Sequence, residues 1–137
     1  MDQTKKSGAP IMWGLIVTIG IGGALGALTR FQIKEWSLAK FGDEVYWGTL
    51  IANVIGCFVA GFLLTFWQES NISLNLKQGV MIGFLGALTT FSSFSVEALL
   101  LFQQQQYQKA LLYIGGNLLI CLFMVFVGAW LGDRIAS

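Results

Sequence analysis

Four long apolar stretches alternate with short polar connectors along the chain. A helix needs about 20 mainly apolar residues to cross the hydrocarbon of a bilayer. On that measure residues 11–33, 47–67, 79–102 and 111–131 each predict a membrane-spanning helix. The connectors read EWSLAKFGDE, QESNISLNLK and QQQQYQK, and the glutamine run reads as a solvated helix end. Trp13, Trp47, Trp67 and Trp130 fall at segment ends, where indole rings prefer the headgroup layer. The pattern predicts a single all-α, integral membrane domain over residues 1–137, with no soluble unit.

Composition agrees and narrows the chemistry. The chain is 55% hydrophobic and 11% charged, whereas about a quarter of a soluble domain is charged. Histidine is absent and the two cysteines, Cys57 and Cys121, lie in apolar runs, so neither a disulfide framework nor the common metal centres are expected. No span presents a nucleophile with a base, which argues against an enzyme. A net charge of +1 gives no footprint for nucleic acid, and no phosphate-binding glycine loop suggests a nucleotide. Lys5 and Lys6 precede an apolar run too long for a cleaved leader, so that run is expected to stay in the membrane.

Small residues recur four apart in every span: Gly22 and Gly26, Gly56 and Ala60, Gly79 with Gly83 and Ala87, Gly128 and Gly132. Such pairs let membrane helices approach closely, and their density suggests oligomerisation beside internal packing. Orientation normally follows an excess of Lys and Arg on the cytoplasmic side. Here Lys5, Lys6, Lys77 and Arg134 on one side face Arg30, Lys34, Lys40 and Lys109 on the other. The charges balance, so the chain is free to insert both ways round, which permits an antiparallel homodimer.

Polar side chains at membrane depth need a partner or a purpose. Asn53 serves either as interhelical glue or as an amide donor to an anion. Arg30 either snorkels to the interface or draws anions into a vestibule. Glu97 is either a hydrogen-bonded structural group or a carrier of protons or cations. The stretch GFLGALTTFSSFSVE at 83–97 crowds hydroxyls that compete with the helix ladder for hydrogen bonds, so a break is expected near Gly86–Thr90. Freed carbonyls at such a break suit a small cation, and helix N-terminal amides suit an anion. Phe91 and Phe94, three apart on the resumed helix, either pack or line an anion path with their electropositive ring edges.

Together GGALGALTRF at 22–31, WGTLIANVIGCFVAG at 47–61 and GFLGALTTFSSFSVE at 83–97 resemble the bacterial fluoride channel family, CrcB or Fluc, in order and spacing over essentially the whole chain. The resemblance implies an antiparallel, dual-topology homodimer in the bacterial inner membrane. Two interfacial pores would export fluoride passively and confer fluoride resistance. It implies that Asn53 hydrogen-bonds fluoride and that Phe91 and Phe94 turn their ring edges to it. Ser92 adds to the polar lining, and Tyr113 begins a track through Asn117 and Cys121. Arg30 matches the vestibule arginine, while Thr49 and Glu97 are supporting polar groups. The carbonyls of Gly86 and Thr89 match a structural sodium site shared with the partner subunit. Two departures stand out: the track has Asn117 and Cys121 where serine or threonine is common, and SSF replaces the frequent STF. The rival reading is a small multidrug-resistance-type proton antiporter using Glu97. A third is a purely structural membrane subunit.

Overall fold

The computed structural model describes residues 8–42, 46–68 and 70–136. Lys5 and Lys6, half of the cations expected on one side, lie outside these residues. Helix α1 runs Gly8–Phe41, α2 Trp47–Phe66, α4 Phe91–Gln103 and α5 Tyr107–Ala136. Between α2 and α4, α3 covers residues 74–88: an α-helical start (Leu74–Gln78), a wider π-helical stretch (Gly79–Leu85), and a last α turn (Gly86–Leu88). The described residues contain no strand. Four helical segments are long and apolar enough to span a membrane: Met12–Phe41, Trp47–Phe66, Leu74–Gln103 and Tyr107–Ala136. The protein is a multi-pass membrane protein. Its outer faces expose leucine, isoleucine and phenylalanine, as a bilayer solvent requires.

Three of the four spans extend beyond the predicted bounds, whereas α2 ends at Phe66, one residue short of its predicted end. Helix α1 continues past Ile33 to Phe41 because EWSLAKF consists largely of good helix formers. Gly42 ends it, with φ of 73° and its N–H donating to the Leu38 carbonyl over 2.9 Å. At 34 residues α1 is about 51 Å long, well beyond a hydrocarbon core of about 30 Å. Its last turns therefore stand in the interfacial layer. Helix α3 starts at Leu74, before Gly79, because the Ser73 hydroxyl caps it by accepting the Leu76 N–H. Lys77 closes the other side of that connector, donating to the last carbonyls of α2 at Trp67 over 2.7 Å.

Glycines set the packing. A methyl group on Gly22 would land on the Gly79 carbonyl oxygen, and one on Gly26 on that of Phe84. These positions seat α3 directly on α1. Gly61 and Gly128 do the same for α2 and α5, facing the carbonyls of Val125 and Phe58. The Thr65 hydroxyl adds an interhelical bond to the Ala129 carbonyl at 2.9 Å. The four-residue spacings are thus engaged inside the chain, and the small residues need no second copy to explain them.

Helices α1 and α2 pack on each other, α3 on α1, and α5 on α2. Helix α4 leaves α3 and packs against α5, forming a core of Phe94, Ala98, Leu101, Ala110 and Tyr113. A second core joins Ala52 of α2 to Leu85 and Leu88 of α3. The third span therefore changes partner halfway, and a straight helix could not do so.

Replacing Gly128 by leucine would force side-chain volume into backbone that cannot swing aside. The expected cost is at the upper end of about 1–3 kcal/mol, read as a lower unfolding midpoint in detergent. Gly20→Ala, with nothing within 4 Å of the added carbon, leaves that midpoint unchanged or raised.

Candidate functional site

The break falls at Thr89 and Thr90, both in extended conformation, with φ/ψ of −81°/151° and −152°/124°. Its local cause is hydroxyl chemistry. The Thr90 side chain accepts the Ser93 N–H at 3.1 Å and so caps α4, while the Thr89 hydroxyl turns back to the Leu85 carbonyl at 2.9 Å. Ser95 donates to the Phe91 carbonyl at 2.8 Å.

Asn53 is the tertiary half of this arrangement. It is buried on α2, and its carboxamide pairs with the Thr90 backbone on both sides. Oδ1 accepts the Thr90 N–H at 2.8 Å, and Nδ2 donates to the Thr90 carbonyl at 3.2 Å. The same Nδ2 donates to Asn117 Oδ1 at 3.0 Å, and Asn117 Nδ2 donates to the Tyr113 carbonyl at 3.1 Å. In an unbroken helix the Thr90 and Ser93 amides would bond the carbonyls of Gly86 and Thr89. Here those amides go to Asn53 and to the Thr90 hydroxyl. Two carbonyls thus lose their ladder donors at residues that line an open cavity, Gly86 being exposed and Thr89 half-buried.

Glu97 lies one turn past Ser93 on the buried face of α4. Its Oε1 accepts from Lys34 Nζ at 2.7 Å and from the Thr49 hydroxyl at 2.9 Å, and its Oε2 accepts from Tyr113 at 2.6 Å. Three helices converge on this one buried carboxylate, whose partners answer the cost of burying it. Arg30, one turn before Lys34, donates to Ser93 Oγ at 3.3 Å. Sequence reasoning counted Lys34 only as a charge. Its position four after Arg30, on the same helix face, was the signal for an inward role.

The two phenylalanines differ in setting. Phe94 is buried beside Tyr113, with centroids 5.7 Å apart, whereas Phe91 is 72% exposed. Their own centroids are 5.3 Å apart at an interplanar angle of 53°. Two cavities border this segment. One of about 510 Å³ is lined by Lys34, Thr49, Ser92, Ser93 and Glu97. The other, about 480 Å³, takes in Asn53, Thr90, Phe91, Phe94, Asn117 and Cys121. Ser92, within 3.2 Å of the Thr90 hydroxyl, thus faces one cavity while its neighbour Phe91 faces the other.

The family model described as CrcB-like protein, Camphor Resistance (CrcB), matches residues 17–129, which include every one of these groups. The chain belongs to the CrcB-like family. A relative from Shewanella sp. (strain W3-18-1), named fluoride-specific ion channel FluC, is 44% identical over 113 residues, covering 82% of this chain and 91% of the relative. Relatives of the same name from Shewanella baltica (strain OS185) and Shewanella sp. (strain ANA-3) are 44% and 43% identical over the same coverage. Within this CrcB-like chain, the break, the Asn53 carboxamide and the Glu97 cluster lie in the matched region.

Removing the Asn53 carboxamide strands the buried Asn117 Oδ1, at about 1–3 kcal/mol, and the half-buried N–H and carbonyl of Thr90, at less. Asn53→Ala should therefore melt well below the wild type in detergent. Glu97→Ala, which leaves Lys34, Thr49 and Tyr113 without their acceptor, should cost about 3–5 kcal/mol. Glu97→Gln keeps one acceptor and falls between alanine and wild type; equal midpoints for the two Glu97 variants would contradict the network described.

Proposed function

We propose that the chain forms a fluoride-selective channel through which fluoride leaves the cell passively, giving fluoride resistance in a bacterial inner membrane. The observation that carries the reading is the family match over a segment where carboxamide, hydroxyl and aromatic groups converge on a helix break. Fluoride holds its water tightly, so a pore must replace those hydrogen bonds yet release the ion at each step. Ser92 and Asn117 are neutral donors, Asn53 becomes one by exchanging one of its amide bonds to Thr90 or Asn117 for the ion, and the edges of Phe91 and Phe94 carry partial positive charge. None of these would trap an anion as a fixed ammonium would. Fluoride moving between the two cavities passes the segment from Thr90 to Phe94. Arg30, which bonds Ser93 on the wall of the first cavity, raises the local anion concentration there. The Glu97 carboxylate, neutralised by Lys34, does not repel the ion.

Function further calls for a second copy in the opposite orientation. The exposed Phe91 and the open cavity around Asn53 supply the flank on which it would sit, and the balanced cations permit either insertion. A two-fold contact places the same break from each copy at the axis. The carbonyls of Gly86 and Thr89, twice over, then present four hard oxygen ligands for a structural sodium ion, a donor type suited to such a cation. Bound there, sodium supplies a fixed positive potential near the path.

Liposomes holding the purified protein, clamped with potassium and valinomycin, should release fluoride rapidly and chloride negligibly. Phe91→Ile and Asn53→Ala should each cut fluoride release at least tenfold. Glu97→Gln, if folded, should still release fluoride. Proton-driven cation uptake lost in Glu97→Gln, with no fluoride release from the wild type, would favour the antiporter reading.

A further inference from the structure

Cys57 on α2 and Cys121 on α5 are the two cysteines of the chain. Both are half-buried and unbridged, and each lies one turn past a member of the bonded pair Asn53 and Asn117, so they face each other across α2 and α5. The pair sits on the wall of the cavity that also takes in Asn53, Phe94 and Asn117. At this depth a thiol is a poor substitute for a hydroxyl as an anion donor. Two facing thiols are nonetheless a good ligand set for a soft metal.

The ligand count limits which metal fits. Among the described residues no group of three or more His, Cys, Asp and Glu side chains comes together, so the chain itself does not supply a tetrahedral zinc shell here. Two sulfurs without a third ligand suit a soft cation that accepts linear, two-fold coordination. Charge narrows the choice further. Two thiolates around a monovalent ion keep one net negative charge, which is costly inside the membrane. Around a divalent ion the unit is neutral.

We propose that Cys57 and Cys121 form a shared site for a soft divalent cation of the mercury(II) type, and that filling it closes the anion path. Binding forms two sulfur–metal bonds and releases the two thiol protons, and no electron is transferred. The metal then stands on the cavity wall with the Asn53 and Asn117 carboxamides and narrows the space they share. The closing step rests on the channel reading; the metal site does not.

The test uses the purified full-length protein and mercuric chloride. After one equivalent per chain, N-ethylmaleimide should find no free thiol, against two before metal, and two protons should appear in solution. In Cys57→Ser and Cys121→Ser, 2-mercaptoethanol should strip the metal from the remaining thiol at a concentration at least tenfold lower than in the wild type. In liposomes the same equivalent should cut wild-type fluoride release at least tenfold. One thiol left open to maleimide at one equivalent, or stripping at equal 2-mercaptoethanol in wild type and variants, would overturn the shared site. Full protection with unchanged fluoride release would overturn the closing of the path. Should the untreated protein release no fluoride, the channel reading and the closing step fall together, while maleimide protection still decides the metal site.

Discussion

The pairing of one carboxamide with one peptide unit, Asn53 with Thr90, is the contact on which the rest of the structure depends. Breaking a helix inside a membrane leaves backbone groups that water cannot reach, and each must find a partner in the protein. Asn53 meets both the donor and the acceptor of the residue at the break. Its remaining amide hydrogen ties the same point to α5 through Asn117. A single side chain thus holds the α3–α4 junction, α2 and α5 in one register. Thr90 completes the junction by capping α4 with its own hydroxyl.

The break matters because it lets one span serve two partners. Its first half lies against α1, where Gly22 and Gly26 allow backbone to approach backbone. The π-helical stretch over Gly79–Leu85 leads into the break, and α4 then crosses to α5 and brings Glu97 among Lys34, Thr49 and Tyr113. That buried carboxylate is a second fastening, tying α1, α2, α4 and α5 one turn beyond the first. Between the two fastenings lies the short segment Phe91–Phe94, bordered by cavities on either side. Anchored at both ends, this segment presents rings and hydroxyls in fixed positions, as ion selection without a trapping charge requires.

Much of this was legible in the sequence, for identifiable reasons. Four spans follow from the length of the apolar runs, and the break follows from threonines and serines that compete with the helix ladder. The helix ends were less legible. EWSLAKF is polar enough to read as a connector, but polarity marks where a helix leaves the hydrocarbon and not where it stops; only Gly42 does that. Partnerships were least legible, since a sequence shows neither that Asn53 meets Thr90 from 37 residues away nor that Lys34 reaches Glu97 across 63. The phenylalanine pattern placed Phe91 and Phe94 together on one helix face, but their unequal burial depends on α5, which covers one ring and leaves the other open.

A pore without proton coupling sets its zero-current voltage by the fluoride gradient alone, and this separates the account from any exchanger built on the same four helices. The decisive measurement is the reversal potential of the purified protein in a planar bilayer under a tenfold fluoride gradient. A fluoride-selective pore gives a value near the single-charge limit of about 59 mV, unmoved by a pH gradient or by replacing the remaining anion with chloride. A reversal potential that follows the pH gradient, or that collapses when chloride is added, would contradict it.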